Sequence, residues 1–539
     1  MTEKIRAIFI QQKSSLRQKA SGAKLTSLLM ILISFTIVFF IFKDIFTYEL
    51  SHAYTADSPL YWAVGRGMLN GYKPYAQMYE NKPIGIFLIS ALSFALTGGT
   101  VICNIVSCLA ALMLTLIPAA VLLSVFKRSD ETDGARRTAA FLSVLLSGLL
   151  IAVYSEVRSG GFQVEAIGAA FSVLFIALVV KLKHVQTRKK RIILTALAAI
   201  ALCCAVMIKE PFVIVSVFGA LLFADDLKQF IKNLVIPCAL GGVLTLLLLT
   251  VCGVISPYFS IYISRMFETR IGGEESSAFS RARDLLRVIN DVKGFSEWLF
   301  YVILLFFALT LLRAAIVKKQ SAGRVFFHVI KVIAAVYAAS FCVGMGGQYY
   351  NHHFIFAVPI YCAFVIYGGA LLFEYQPKKG AVRNTVILLL GVMMLITSVS
   401  IGNKYSGNYT EKYNSISDQA EYVDSLLDYY QEDRYQYIGF NGEDVFIGLT
   451  KHSPLGPAFA QDSDNFQTDD TWFAEKLKEQ IDESNIVIVR NFTSPAVDEY
   501  IKNKLATEFT TVPSSRLLTD PPEGFHYTIY YRISKYGYS

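Results

Sequence analysis

A chain of 539 residues that is 54% hydrophobic and only 17% charged, with a mean hydropathy of +0.45, is too apolar for an ordinary soluble protein. Its formal charge of +8 conceals two unlike parts: residues 405–539 carry 11 Lys/Arg against 22 Asp/Glu, leaving 39 against 20 in residues 1–404. Such a split argues for two compartments, and because the basic residues fall in short turns between apolar runs and form no single patch, it excludes nucleic acid as a partner. All eight cysteines sit in apolar segments, Cys203 and Cys204 included, so they read as small packing residues with no disulfide framework.

The first apolar run, 25–42, follows a segment carrying Lys4, Arg6, Lys13, Arg17, Lys19 and Lys24. The positive-inside rule puts that segment in the cytoplasm, and with no small-residue cleavage site behind it the run reads as an uncleaved anchor. Further runs at 101–126, 138–154, 166–182, 192–208, 211–224, 233–254, 297–316, 325–345, 354–374 and 383–401 bring the total to roughly eleven crossings of a hydrocarbon core roughly 30 Å thick. Every turn this assigns to the cytoplasm is basic: Lys127 to Arg137, Lys181 to Arg191, Lys228 and Lys232, Lys318 to Arg324, and Lys378 to Arg383. An odd number of spans then leaves the acidic tail outside the cell membrane.

Residues 47–100 do not fit this pattern, because their apolar run, Ile84 to Leu96, is too short to cross. We read them as one long outer loop lying on the membrane surface, with Ile84 to Leu96 an interfacial or re-entrant helix and many tyrosines at headgroup level. The tail alternates helical and strand patterns: helix over Asp418 to Tyr430, strand over Tyr435 to Phe440, helix over Thr471 to Ile481, strand over Asn485 to Val489, helix over Ala496 to Leu505, strand over Tyr527 to Ile533. This predicts a small extracytoplasmic α/β domain over 405–539, without a phosphate-binding glycine loop, attached to a polytopic α-helical membrane part over 1–404.

Ionisable groups gather at the predicted outer face in four places: Asp57, Arg66, Glu80 and Lys82; Glu156, Arg158 and Glu165; Lys209 and Glu210; and His352 with His353. In a membrane protein such groups are functional candidates, although each alone can also be a solvated loop charge, and Lys82 a snorkelling interface lysine. The stretch Asp57-Ser-Pro-Leu-Tyr61-Trp-Ala-Val-Gly-Arg66-Gly67, its continuation Asn70-Gly71-Tyr-Lys-Pro74-Tyr75, and Asn81-Lys82-Pro83-Ile84-Gly85 resemble the membrane glycosyltransferases of the C-type fold. These include the protein O-mannosyltransferases and the lipid A aminoarabinose transferases. Gly160-Gly-Phe-Gln-Val-Glu165 resembles the family's second acidic loop, and Gly346-Gly-Gln-Tyr-Tyr-Asn-His352-His353-Phe354 its Gly/His-Tyr-Phe element. The family's Lys-Pro-Pro motif carries Ile84 in place of the second Pro here, and Asn81 stands where an acid usually precedes the Lys, with Glu80 one place earlier.

The resemblance implies a hexosyl- or pentosyltransferase that moves a sugar from a polyprenyl-phosphate donor to a lipid, glycan or protein acceptor outside the cytoplasm. It implies Asp57 as general base, and Lys82, Arg158 and Lys209 as cations for the donor phosphate. Arg66, Tyr61, Glu80, Glu165, His352 and His353 are the implied substrate-binding residues, with Glu165 and His353 the candidates for a divalent metal ion. The rival reading is a lipid or solute transporter or flippase whose path these charges line; repeated halves with broken helices would mark it, and no internal repeat is visible.

Overall fold

A computed structural model describes residue 54, residues 57–125, 161–267, 322–345, 351–374, 409–439, 445–459, 471–490, 495–512 and 520–536, and isolated positions between 29 and 50. The runs predicted at 138–154, 297–316 and 383–401 lie outside them, as does most of the first.

Among the described residues five helices are long and apolar enough to cross a membrane: Val101–Leu122, Val164–His184, Arg188–Ile208, Leu227–Val251 and Val325–Gly344. Each coincides with a run expected from the sequence. In chain order we name the membrane-part helices α1 (Ser58–Leu69), α2 (Ile84–Thr97), α3 (Val101–Val125), α4 (Val164–His184), α5 (Arg188–Ile208), α6 (Phe212–Leu221), α7 (Leu227–Val251, with a π-helical stretch at Ile231–Val235), α8 (Ala322–Gly344) and α9 (Val358–Glu374). The central one is α4, buried along nearly its whole length between α3, α5, α6 and α9. Its composition explains this: Gly168, Ala169, Ala170, Ser172 and Ala177 let neighbouring backbones approach on every side.

Two expected spans differ: the run 354–374 forms the 17-residue α9 behind a 3-10 turn at Asn351–Ala357, short of the five long helices, and the run 211–224 departs further. The run 211–224 holds a helix of only 10 residues, about 15 Å at 1.5 Å per residue and so half of a bilayer core. The chain nevertheless travels the length of α4. At one end Lys209 pairs with Glu165 in the first turn of α4; at the other, Lys183 in its last turn reaches the Phe223 carbonyl at 3.3 Å and the Asp225 carboxylate at 2.5 Å. Lys331 of α8 donates to the carbonyl of Ala224 at 2.8 Å, supplying a cation where the short helix ends.

The stretch expected as a loop folds into α1 and α2, which pack on each other, with α2 also against α5. Two glycines set those distances: a Cβ on Gly65 would lie 2.5 Å from the Cβ of Ser90, and one on Gly85 would lie 2.5 Å from the carbonyl oxygen of Met207. Between these contacts run residues 70–83, so the close packing fixes the stretch that carries Lys82.

The tail elements fall where the alternating patterns put them: α10 (Tyr409–Tyr430), β1 (Arg434–Ile438), α11 (Thr471–Glu483), β3 (Ile486–Val489), α12 (Pro495–Glu508) and β5 (Thr528–Arg532). Two short strands without a readable period join them, β2 (Ser453–Pro454) and β4 (Phe509–Thr511). The sheet order is β2-β1-β3-β5-β4, with β1 parallel to β2 and β3, and β5 antiparallel to β3 and β4. Alternate residues of β3 go to opposite layers: Val487 and Val489 pack with Phe473, Leu477, Ile501 and Leu505, while Ile486 and Ile488 share the core of Val423 and Leu427 of α10. That second core is continuous with Phe446 and with Tyr61 and Trp62 of α1, so the tail is seated on α1. Polar contacts follow the same seam: Asn70 Nδ2 donates to the Lys451 carbonyl at 3.0 Å, and the Arg434 guanidinium lies 4.2 Å from the Tyr72 ring centre.

Gly85→Val puts branched carbon into the α2–α5 contact, where overpacking costs about 1–3 kcal/mol. The expected outcome is a lower thermal midpoint in detergent, with Gly242→Ala, whose Cβ meets nothing within 4 Å, as the unchanged control. Equal midpoints would mean that the two helices separate freely.

Candidate active site

Asp57 stands at the N-terminus of α1, where Pro59 occupies the first turn and the helix dipole favours an anion. Its carboxylate does not cap its own helix; it accepts instead from the hydroxyl of Tyr61, one turn on, at 3.2 Å. Tyr61 is fully buried, and burial first, then the charges of Asp57, Glu165 and Glu80, hold its phenol well above the usual range. It therefore stays protonated and remains a donor to Asp57. The ring has Phe162 at its edge, with centroids 6.4 Å apart, and the Lys82 ammonium 5.7 Å from its centre.

Lys82 is presented by the turn that leads into α2. Its Nζ donates to Asn81 Oδ1 at 2.6 Å and lies 3.5 Å from Glu80 Oε1, while its backbone carbonyl accepts from the Tyr75 hydroxyl at 3.0 Å. Glu80, 3% exposed, is thus the counter-ion of Lys82. The long separation leaves the ammonium less neutralised than Lys209, which is in close contact with Glu165 and 5.1 Å from the Phe356 ring.

The second carboxylate oxygen of Glu165 is buried without a hydrogen-bond partner. One ligand atom each from Glu165, His352 and His353 lies within 4.8 Å of the others, a spacing and donor set that fit a divalent cation. The two imidazoles meet edge to face at 4.5 Å, so both rings border one site even though they are adjacent in the chain. The charges of Asp57, Lys82, Glu165 and Lys209 all act on His352, and those of Asp57, Lys82 and Glu165 on Lys209. The groups thus form one electrostatic unit, assembled from α1, the turn before α2, α4, the α5–α6 junction and the turn before α9.

Arg66 lies apart. It is nine residues along the helix from Asp57, half a turn away in phase, and its guanidinium stacks 4.4 Å from the Phe94 ring within reach of the tail's Asp424 charge. Arg158 is outside the described residues. Two residues that the sequence reading did not single out complete the wall: Tyr258 and Tyr262 both donate to Glu210 Oε1, at 3.0 and 2.6 Å, and Tyr75 packs on both their rings. Burial pushes the Glu210 carboxyl up, against the pull of those two hydroxyls and of Lys209. The readable trace of this cluster is the four-residue spacing of the two tyrosines, one helical turn.

Replacing Glu165 by Gln strands the buried Lys209 ammonium, a loss of about 3–5 kcal/mol for a broken buried pair. The expected result is a large fall in thermal midpoint for Glu165→Gln that the double variant Glu165→Gln/Lys209→Met largely restores. A single variant as stable as the parent would show that the pair does not form.

No family model and no curated protein matches this chain in sequence. Its fold does have counterparts. ArnT from Cupriavidus metallidurans, solved bound to undecaprenyl phosphate, superposes with a TM-score of 0.53 at 13% identity, covering 93% of this chain and 97% of that one. The Archaeoglobus fulgidus oligosaccharyltransferase is more distant: its apo form matches at 13% identity and a TM-score of 0.42, and its complex with zinc and sulfate at 12% and 0.43, each over 86% of this chain and 69% and 68% of their own. The fold of this chain is that of the C-type membrane glycosyltransferases, as the motifs between Asp57 and Gly85 led us to expect.

Proposed function

We propose that the chain is a membrane glycosyltransferase that moves a sugar from a polyprenyl-phosphate donor to an acceptor hydroxyl on the extracytoplasmic face of the cell membrane. A shared fold alone does not carry chemistry. What supports the reading is one observation: at a single end of an apolar bundle, a helix-terminal carboxylate, two lysines and a Glu–His–His group converge. The relative of the same fold was solved with undecaprenyl phosphate.

In this reading Asp57 takes the proton as the acceptor oxygen forms its bond to the anomeric carbon, and the bond to the phosphate oxygen breaks, releasing polyprenyl phosphate. Tyr61 orients that carboxylate. Lys82 is the leading cation for the phosphate because Lys209 is already in contact with Glu165; Arg158 is the further candidate. Glu165, His352 and His353 would hold a divalent ion, which when bound would add positive charge beside the departing phosphate. Glu80 sets the position of Lys82. The division into a catalytic membrane part, 1–404, and an extracytoplasmic domain, 405–539, belongs to the same proposal, as do lipid, glycan or protein as acceptor and the cytoplasmic N-terminus.

Asp57→Asn is expected to leave membrane insertion and donor binding intact while transfer falls by about 10²–10⁴, the usual worth of general-base catalysis. Lys82→Met should weaken donor binding as well as turnover, because the phosphate contact exists in the ground state too. Sugar transfer by the purified variants with a polyprenyl-phosphate-sugar donor is the measurement, and near-parental transfer by Asp57→Asn would remove the base. For the orientation, a cysteine introduced beside Arg188 should be protected from an impermeant thiol reagent in intact cells and one at Ser415 labelled; the opposite pattern would place the site in the cytoplasm.

A further inference from the structure

Residues 255–266, which follow α7, touch both the site and the tail. Tyr258 and Tyr262 are held by Glu210, next to Lys209, and their rings pack on Tyr75, whose hydroxyl in turn holds the backbone of Lys82. One turn further on, Arg265 is buried, with 6% exposure, in a box of three aromatic rings: its guanidinium carbon is 4.4 Å from the centre of Trp472, 4.6 Å from Phe473 and 5.7 Å from Tyr79. Trp472 and Phe473 open helix α11 of the tail; Tyr79 is three residues before Lys82. The Tyr79 ring also meets both tail rings edge on, at 5.8 and 5.4 Å, and its amide donates to the Pro457 carbonyl of the tail at 3.1 Å.

We infer that Arg265 is a positioning residue through which the tail sets Lys82, and so tunes the grip on the donor phosphate. A guanidinium boxed by three rings is held more firmly than an exposed one, because cation–π attraction grows as water is excluded. The cation comes from the membrane part and the rings from two other places, so the box forms only where segment 255–266, the Tyr79–Lys82 turn and α11 meet. Its two outputs both arrive at Lys82, one through Tyr79 and Glu80, the other through Tyr75. A purely structural clamp would act on the whole fold and not on this one contact. The inference rests on the assignment of Lys82 to the phosphate.

The test is a double-mutant cycle on the full-length protein in detergent, with undecaprenyl phosphate as the probe and its dissociation constant as the readout. Arg265→Ala should weaken binding about three- to tenfold when Lys82 is present and should change nothing further on the Lys82→Met background. Trp472→Ala repeats the cycle from the tail side should Arg265→Ala fail to insert, while Arg265→Lys and Trp472→Phe, which keep a cation on a ring, retain most of the affinity. Unchanged binding in Arg265→Ala, or an equal loss on both backgrounds, overturns the inference and leaves the phosphate assignment standing. Unchanged binding in Lys82→Met removes the phosphate assignment and the inference with it.

Discussion

The contact between Glu165 and Lys209 is the constraint on which the rest of this structure depends. Both side chains lie at one end of an apolar bundle, the carboxylate almost entirely out of water. A single charge there would be far too costly to keep ionised, so each requires the other, and the pair ties the first turn of α4 to the α5–α6 junction. At the opposite end of α4, Lys183 and Lys331 hold the other end of the short α6 chain by its carbonyls. With both levels fixed, a helix of 10 residues suffices where a full span would otherwise be needed. The same pairing leaves one carboxylate oxygen of Glu165 without a donor of its own, and a Glu165 oxygen lies within 4.8 Å of ligand atoms of both histidines, which makes the pair the base of the candidate site.

The neighbouring lysine is held differently. Lys82 is 12% exposed, pairs at 3.5 Å with Glu80 and takes its backbone position from Tyr75. The two pairings differ in kind: Lys209 is in close contact with Glu165, whereas Lys82 lies 3.5 Å from Glu80. Asp57 is set apart again, standing at a helix N-terminus with the Tyr61 hydroxyl as its hydrogen-bond partner in place of a cation.

The tail is more than an appended soluble piece, because the inward face of its sheet packs through α10 and Phe446 onto α1, and its first aromatic turn at Trp472 and Phe473 covers the loop before Lys82. Its own fold follows from β3, whose four residues are all buried and alternate between two apolar layers, the arrangement that a strand covered on both faces requires.

Much of this was legible without coordinates. Among the described residues, the apolar runs at 101–126, 166–182, 192–208, 233–254 and 325–345, the short run at Ile84 to Leu96 and the alternation in the tail became helices and strands near the expected positions, because length and periodicity are local properties and burial enforces them. The candidates Asp57, Tyr61, Lys82, Glu165, Lys209, His352 and His353 were visible as polar groups at the ends of apolar runs, where an ionisable side chain has to be explained. Tertiary structure alone decided which of them meet. Arg66 sits on the same short helix as Asp57, yet its phase turns it to the tail; Tyr258 and Tyr262 look like ordinary aromatic residues until packing brings them to Glu210. Arg265, Tyr79 and Trp472 lie too far apart in the chain for any spacing to connect them. Local pattern determines which segments are buried, whereas the pairing of charges across segments depends on how the buried faces fit, and that is a property of the packed whole.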